Sequence, residues 1–368
     1  MKLYHIIGLS TAGLLSLGAL GVIAHKDSTS YNTDYRLETL TGDINVLNGM
    51  KLEGVTKVDQ QSYSKVMISG EKIEVTPTKY DSLYHVGEEV LENRELYRNL
   101  FWPQQLETDK LLMTASFNSS YFYTNTEPVL SIRSKNKETG KTNIQEAFLE
   151  NLKYGENIMS EFLTEHNGIL YYIATAYGYD GNTNERILTY EIDPDSLSLK
   201  FKNEEDMTEW SSITIHDGFI YRLPYESNHL IVTNIETNET KTYKTTGLPE
   251  YASIYNIAKV DGETFFLIDS NLMEATFDDE NQTVHLTPTQ TPSFTSEFLS
   301  AENLMVNNNF IYTLYQDYKN SSISQYVSVL DPKTDKIVYE GKINIRSDQG
   351  LVSSYQLKKV SHDYPPLL

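Results

Sequence analysis

One phrase recurs in this chain at a spacing that few folds can accommodate. A tight turn followed by an apolar, aromatic strand occurs at His166-Asn167-Gly168-Ile169-Leu170-Tyr171, at His216-Asp217-Gly218-Phe219-Ile220-Tyr221, at Val260-Asp261-Gly262-Glu263-Thr264-Phe265 and at Asn307-Asn308-Asn309-Phe310-Ile311-Tyr312. The Gly or Asn that ends each turn stands at 168, 218, 262 and 309, in steps of 50, 44 and 47. Asn-Gly and Asp-Gly supply the positive φ that a two-residue hairpin turn needs, and Asn is the usual substitute for Gly there.

A second hairpin follows each copy. Its turns read Asp193-Pro194-Asp195-Ser196, Glu236-Thr237-Asn238-Glu239, Asp278-Asp279-Glu280-Asn281 and Asp331-Pro332-Lys333-Thr334. Asp sets such a turn through a side-chain hydrogen bond to the backbone, and Pro through its fixed φ. A weaker copy lies upstream, with a strand at Lys110-Leu111-Leu112-Met113 and an outer hairpin from Val129 to Gly140. Two hairpins per roughly 47 residues is the period of a β-propeller blade. A lone four-stranded sheet cannot cover both its faces, whereas stacked copies bury each face against the next. The expected fold is therefore all-β, a propeller of six to seven four-stranded blades, with a β-sandwich of evenly spaced strands as the alternative. The 27 tyrosines among 368 residues fit that class, because tyrosine favours strands and half-buried faces.

The chain divides as residues 1–24, 25–34, 35–103 and 104–368. Leu3 to Ala24 is an uncharged apolar run when His5 is neutral; at 1.5 Å per residue it is long enough to span a bilayer core. Lys2 before it predicts a cytoplasmic N-terminus and an exported remainder. A retained single-pass anchor at the cell membrane and a signal peptide cleaved after Ala24 both fit, the latter giving a secreted protein. Residues 25–34 read as a polar tether. Residues 35–103 read as one or two divergent blades or as a small separate β module, with a short polar helix at Gly87–Asn99. Gln356-Leu357-Lys358-Lys359-Val360 has the pattern of a strand able to close the ring against an N-terminal one.

The outer-hairpin phrases Glu191-Ile192-Asp193-Pro194-Asp195-Ser196 and Val329-Leu330-Asp331-Pro332-Lys333-Thr334-Asp335-Lys336-Ile337-Val338 resemble blades of the bacterial surface-protein and quinoprotein-like propellers. The front segment, with Gly42-Asp43, Leu47 and Gly54, is similar to uncharacterised anchored envelope proteins of Gram-positive bacteria. These resemblances imply an extracytoplasmic propeller and carry no catalytic residue onto any position.

The chemistry that the chain excludes is clearer than the chemistry it offers. With no cysteine there is no disulfide, thiolate metal site, cysteine nucleophile or lipidated N-terminal Cys. A formal charge of −21 disfavours nucleic acid and polyphosphate partners. No unit ends in Trp-Asp, and kelch Gly-Gly pairs, the sialidase Asp box, Gly-x-Ser-x-Gly, His-Glu-x-x-His and P-loop patterns are missing. The two tryptophans, Trp102 and Trp210, are too few for repeated Trp docking.

Four residues are candidates for a ligand face. His166 and His216 hold the same place in consecutive repeats, where a turn-flanking structural role competes with a metal role that lacks a third ligand. Tyr177 and Tyr179, like Tyr121-Phe122-Tyr123, sit near loops, where stacking on sugars or peptides competes with packing between blades. Asp180, Asn182 and Asn184 place oxygens at alternate positions, as a calcium loop does, although Glu185 stands where such a loop needs glycine. No other cofactor is expected.

The function expected is a non-catalytic binding or scaffold module for a protein, peptide or cell-wall ligand. Its alternatives are an extracellular enzyme acting on glycan or polymer with carboxylates from different blades, and a sensory partner of a membrane complex.

Overall fold

The computed structural model describes residues 34–57, 63–70, 72–79, 88–100, 103–118, 129–153, 156–178, 185–207, 209–225, 227–248, 252–294, 299–319, 322–346 and 352–359. The apolar run Leu3–Ala24 and the tether up to residue 33 lie outside them. Among the described residues no helix is long and apolar enough to cross a membrane.

The described chain is almost entirely strand. It begins with β1 (Asp34–Gly42), a 3-10 turn at Ile44–Leu47, β2 (Met50–Lys57), β3 (Tyr63–Ser69) and β4 (Lys72–Thr78). Two short helices follow, α1 (Glu88–Glu92) and α2 (Arg94–Tyr97). Then come β5 (Gln104–Glu107), β6 (Leu111–Asn118), β7 (Val129–Asn136) and β8 (Thr142–Ala147). The next four are β9 (Glu156–His166), β10 (Ile169–Gly178), β11 (Glu185–Ile192) and β12 (Leu199–Met207). They are followed by β13 (Ser211–His216), β14 (Phe219–Pro224), β15 (His229–Asn234) and β16 (Thr240–Thr246). A further set is β17 (Ile254–Val260), β18 (Glu263–Ile268), β19 (Asn271–Asp278) and β20 (Thr283–Pro288). The last described strands are β21 (Leu299–Asn307), β22 (Phe310–Lys319), β23 (Ser322–Asp331), β24 (Lys336–Arg346) and β25 (Val352–Lys359).

These strands form antiparallel four-stranded units in the order inner to outer. Unit I is β25-β2-β3-β4, unit II is β5 to β8, unit III is β9 to β12, and unit VI is β21 to β24 with β1 added outside β24. Units IV (β13 to β16) and V (β17 to β20) are joined in one eight-stranded sheet. The expectation of six to seven separate blades is corrected at this point: four sheets stand alone, and the remaining eight strands are continuous. The join is a short parallel ladder between the two outer strands, pairing Lys244, Thr245 and Thr246 with Thr283, Val284 and His285. Just beyond it Gly247 holds φ +87°, and a Cβ there would lie 2.2 Å from the Leu286 carbonyl oxygen. Only glycine lets the two backbones come that close. The innermost strands β13 and β17 also lie side by side, so the eight strands nearly close into a barrel.

The turns form as their residues dictate. Asn167 and Gly168, Asp217 and Gly218, Asp261 and Gly262, and Asn308 and Asn309 all adopt positive φ, the conformation of a type I′ hairpin. In the outer hairpins the Oδ1 atoms of Asp193, Asn234, Asp278 and Asp331 accept backbone N–H groups two or three residues on, at 2.7–3.1 Å. Asn136 does the same in unit II, which identifies its weaker copy of the phrase as a working hairpin.

Packing between units is radial. The second strand of each unit is buried on both faces, and its side chains alternate between two cores. On β10, Leu170, Tyr172, Ala174 and Ala176 pack with Met113, Leu130 and Ile132 of unit II, while Tyr171 and Ile173 pack with Ile220 and Ile235 of unit IV. On β18, Phe266 and Ile268 meet Tyr221 and Leu223 of unit IV, while Phe265 and Leu267 meet Leu304 and Ile311 of unit VI. On β22, Tyr312 and Leu314 turn to Leu52, Val66 and Ile68 of unit I. These shared cores make the fold propeller-like rather than a two-sheet sandwich.

Two crossings link unit VI to unit I. β24 leads to β25, which pairs antiparallel with β2 from Met50↔Lys359 to Val55↔Ser354. β1 pairs with β24 and then passes to β2, where the Tyr312 hydroxyl donates to the Val46 carbonyl at 2.7 Å. Between units I and II the contact is different. There α1 and α2 intervene in the chain; α2 buries Leu96 and Tyr97 against Leu112 of unit II, so the short helix expected to be polar is apolar on one side and broken at Asn93.

Candidate functional site

In every unit the first strand runs from one face of the ring to the other. The type I′ turns mark the far face, and the starts of β9, β13 and β17 mark the near face. A cleft of about 220 Å³ opens on the near face across units III, IV and V. Its lining combines the hydroxyl residues Ser160, Thr175, Ser211, Ser212 and Ser253 with Tyr225 and Tyr255, over Met159, Ile213 and Ile254.

Backbone irregularities aim two of these side chains. β9 carries one extra residue where Thr175 pairs with Ser160 and Ala176 with Ile158, which ejects Met159. β17 carries another where Ile268 pairs with Ile254 and Leu267 with Asn256, which ejects Tyr255. A third bulge, at Glu302, interrupts β21 between Ala301 and Asn303. A bulge bends its strand and redirects a side chain out of the alternating pattern. Met159 is accordingly 42% exposed between half-buried Ile158 and Ser160, and Tyr255 62% exposed between buried Ile254 and half-buried Asn256. Trp210, 63% exposed, precedes β13, and its carbonyl accepts the Tyr225 N–H at 2.9 Å.

The hydroxyls are held by the scaffold. Thr175 Oγ1 accepts the Ser160 N–H at 2.9 Å and so keeps its own hydrogen to donate. Ser212 Oγ accepts the Ile254 N–H at 2.9 Å, tying unit IV to unit V under the cleft. The Ser253 N–H donates to Asp269 at 3.1 Å. Among the described residues lining the cleft none is a carboxylate, imidazole or ammonium. The arrangement can therefore offer hydrogen bonds and an aromatic face to an uncharged polar ligand. It does not present the paired carboxyls of a glycosidase among its described lining residues.

One carboxyl nearby has an unusual proton affinity. Glu161 follows Ser160 but pairs opposite Ala174, which faces unit II. Its Oε1 accepts the Phe117 N–H at 2.8 Å. Desolvation at that interface pushes its pKa up to about 7, against the lowering effect of the Phe117 bond. It lies on the opposite side of β9 from the cleft and belongs to the packing of units II and III.

The residues singled out from sequence fall in three places. His166 and His216 end β9 and β13 on the far face. The His166 ring packs onto Gly218, where a Cβ would sit 2.3 Å from it. It lies 3.9 Å from both Asp217 and Glu236, and Asn167 donates to Glu236 at 2.9 Å. Burial lowers the pKa of His216, and Lys259 lowers it further, against the opposing charge of Asp217. Lys259 bonds Asp217 at 3.1 Å and Lys333 bonds Asp261 at 2.9 Å, so turns of one unit are held by lysines of the next. Tyr177 stands on the near face, two residues beyond Thr175 and on the same side of β10. Tyr179, Asp180, Asn182 and Asn184 lie outside the described residues, as do Trp102 and Tyr121 to Tyr123. Among the described residues no group of three or more His, Asp and Glu gathers as a metal site. The cleft residues themselves escape sequence reading. Their only sequence trace is the extra residue that puts Met159 and Tyr255 out of step with the apolar alternation of their strands.

No family model matches the chain and no curated protein is similar to it. Solved structures are. A protein from Lactobacillus plantarum shares 10% identity over 85% of this chain and 99% of its own, with a TM-score of 0.43. The extracellular domain of BT4673 from B. thetaiotaomicron shares 14% over 65% of this chain and 29% of its own, with a TM-score of 0.36. The GH43 protein BlXynB from Bacillus licheniformis shares 14% over 66% and 54%, with a TM-score of 0.37. The chain spans under a third of the length of the second and about half that of the third.

Proposed function

We propose that this chain is an extracytoplasmic, membrane-anchored binding module in which units IV and V count as two blades of a six-bladed ring, and that its cleft holds an uncharged segment of an envelope glycan. The observation that carries the reading is the lining of the cleft: among the described residues, five hydroxyl residues and two tyrosines with no carboxylate, imidazole or ammonium. Sugars present hydroxyls around an apolar ring face, and hydroxyl side chains beside exposed aromatics complement both. At about 220 Å³ the cleft suits one or two sugar rings of a longer chain rather than a folded partner. The net charge of −21 repels anionic polymers and leaves neutral ones unaffected. The apolar run Leu3–Ala24 with Lys2 before it supports the address.

The test is retention of the full-length protein, in detergent, on immobilised neutral, anionic and amino-sugar envelope glycans. The expected result is retention on neutral glycans, insensitive to salt, and weakened about tenfold by Tyr255→Ala, which corresponds to about 1.4 kcal/mol. Retention that follows ligand charge, or that Tyr255→Ala leaves intact, overturns the reading. Shortened glycan released during incubation marks a hydrolase instead.

A further inference from the structure

We infer that the cleft-bearing face is the side of the ring turned towards the membrane, and that its occupant is a neutral glycan carried on a molecule anchored in that same membrane. This rests on the binding reading above and adds the source of the ligand.

The inference comes from strand direction. β9, β13 and β17 start at the cleft face and end at the type I′ turns. As the fourth strand of its unit, β24 runs back towards the cleft face and ends there at Arg346. β1 lies antiparallel to it, with Asp34 opposite Arg346 and Gly42 opposite Tyr339. The chain therefore enters the ring at the outer edge of unit VI, level with the cleft. From there β1 descends to the far face and hands over to β2 through the turn pinned by Tyr312.

The connection from the apolar run to Asp34 is short. The apolar run ends at Ala24, and residues 25–33 connect the two. At 3.3–3.6 Å per residue this connection reaches about 35 Å when fully extended. β1 alone, nine residues long, covers about 30 Å between the two faces. Turning the far face to the bilayer would use nearly the whole connection to run down the outside of unit VI. Turning the cleft face to it needs none of that length. The charge of −21 opposes direct docking on an anionic lipid surface, with screening over about 8 Å, so the face stands off. The space between suits a head group or glycan rather than lipid itself.

The absence of cysteine allows single reporters in an otherwise native chain. Glu209→Cys lies exposed at the cleft face and Glu239→Cys at the far face of the same unit. Each full-length variant is labelled with a fluorescent donor and reconstituted in vesicles carrying an acceptor lipid. Energy transfer from position 209 is expected to exceed that from position 239 by roughly twofold or more, for a height difference of about 20 Å. Equal or reversed transfer overturns the orientation, as does a mature protein whose mass shows residues 1–24 removed. Glycan retention by the same variants in detergent separates the two readings. Retention with reversed transfer sinks the orientation and leaves the cleft reading standing. The expected transfer without retention sinks the occupant.

Discussion

Two seams of the ring are built on opposite plans. Between units IV and V the sheets are bonded at their outer edge and adjacent at their inner edge, with Tyr221, Leu223, Tyr243, Phe266, Met273 and Val284 enclosed between them. Aromatic edges interlock there, Tyr221 on Phe266 at 5.6 Å and Tyr243 on Phe277 at 5.1 Å. Between units I and II the apolar clusters among the described residues are small: Val55 with Tyr63 in unit I, and Leu96, Tyr97 and Leu112 under the helices in unit II. A fully buried Glu53 bonded to Lys65 at 2.8 Å lies on the unit II side of β2. The first seam is closed by apolar area and backbone bonds; beside the second, the described residues offer a helix pair packed on unit II and an ion pair between β2 and β3 of unit I. Burying apolar area adds stability steadily, while a buried ion pair only balances its own desolvation. The cleft opens across the sealed seam, where its residues are held most firmly.

The largest effect expected from breaking this contrast is in the sealed core. Phe266→Ala should lose about 3–5 kcal/mol in denaturant unfolding, as for other large-to-small changes at well-packed sites. At the open seam, Glu53→Ala should cost about 3 kcal/mol by stranding Lys65, whereas Glu53→Leu with Lys65→Met together should be near neutral. A loss in the double variant equal to that in the single one would mean that the pair does more than balance itself.

Glu161 tests a third seam, between units II and III. Its folded pKa, pushed up to about 7, lies above the ordinary carboxylate range, so the native state holds this proton more tightly than the unfolded chain does. The group's contribution is present in full below about pH 4.5 and is lost as pH rises through 7, a loss of up to about 3 kcal/mol by pH 8. Glu161→Gln can still accept the Phe117 N–H, and its melting temperature should be flat over that window while the wild type falls. Gly247→Ala should cost about 1–3 kcal/mol by forcing a side chain against the Leu286 carbonyl at positive φ, and should loosen β16 from β20. Tyr255→Ala should leave stability within about 0.5 kcal/mol, because its ring is exposed, while weakening glycan retention about tenfold.

What the sequence reveals and what it hides follow from range. The turns at 167–168, 217–218 and 261–262 are set by their own residues, and so are the Asx bonds of Asp193 and Asp331; both are legible locally. Blade rhythm follows from them. The bond between β16 and β20 joins residues almost forty apart, and its one local trace is a glycine among many. The cleft is hidden for a related reason: a bulge is one residue of excess in a strand, which changes register without changing composition. His166 and His216 stand out in sequence because they flank repeated turns. Their geometry explains that prominence through packing on Gly218 and pairing around Asp217.

Hydrogen exchange of the full-length protein under native conditions tests the contrast between the seams most directly. Local opening free energies differ wherever packing differs, and each amide reports its own. The amides of β13 to β20 should exchange only through global unfolding. Those of β25 and β2 to β4 should exchange through an earlier opening of the ring at units I and II, at least about 2 kcal/mol lower and so roughly thirtyfold faster. Uniform protection around the ring, or earliest exchange in units IV and V, would contradict the account.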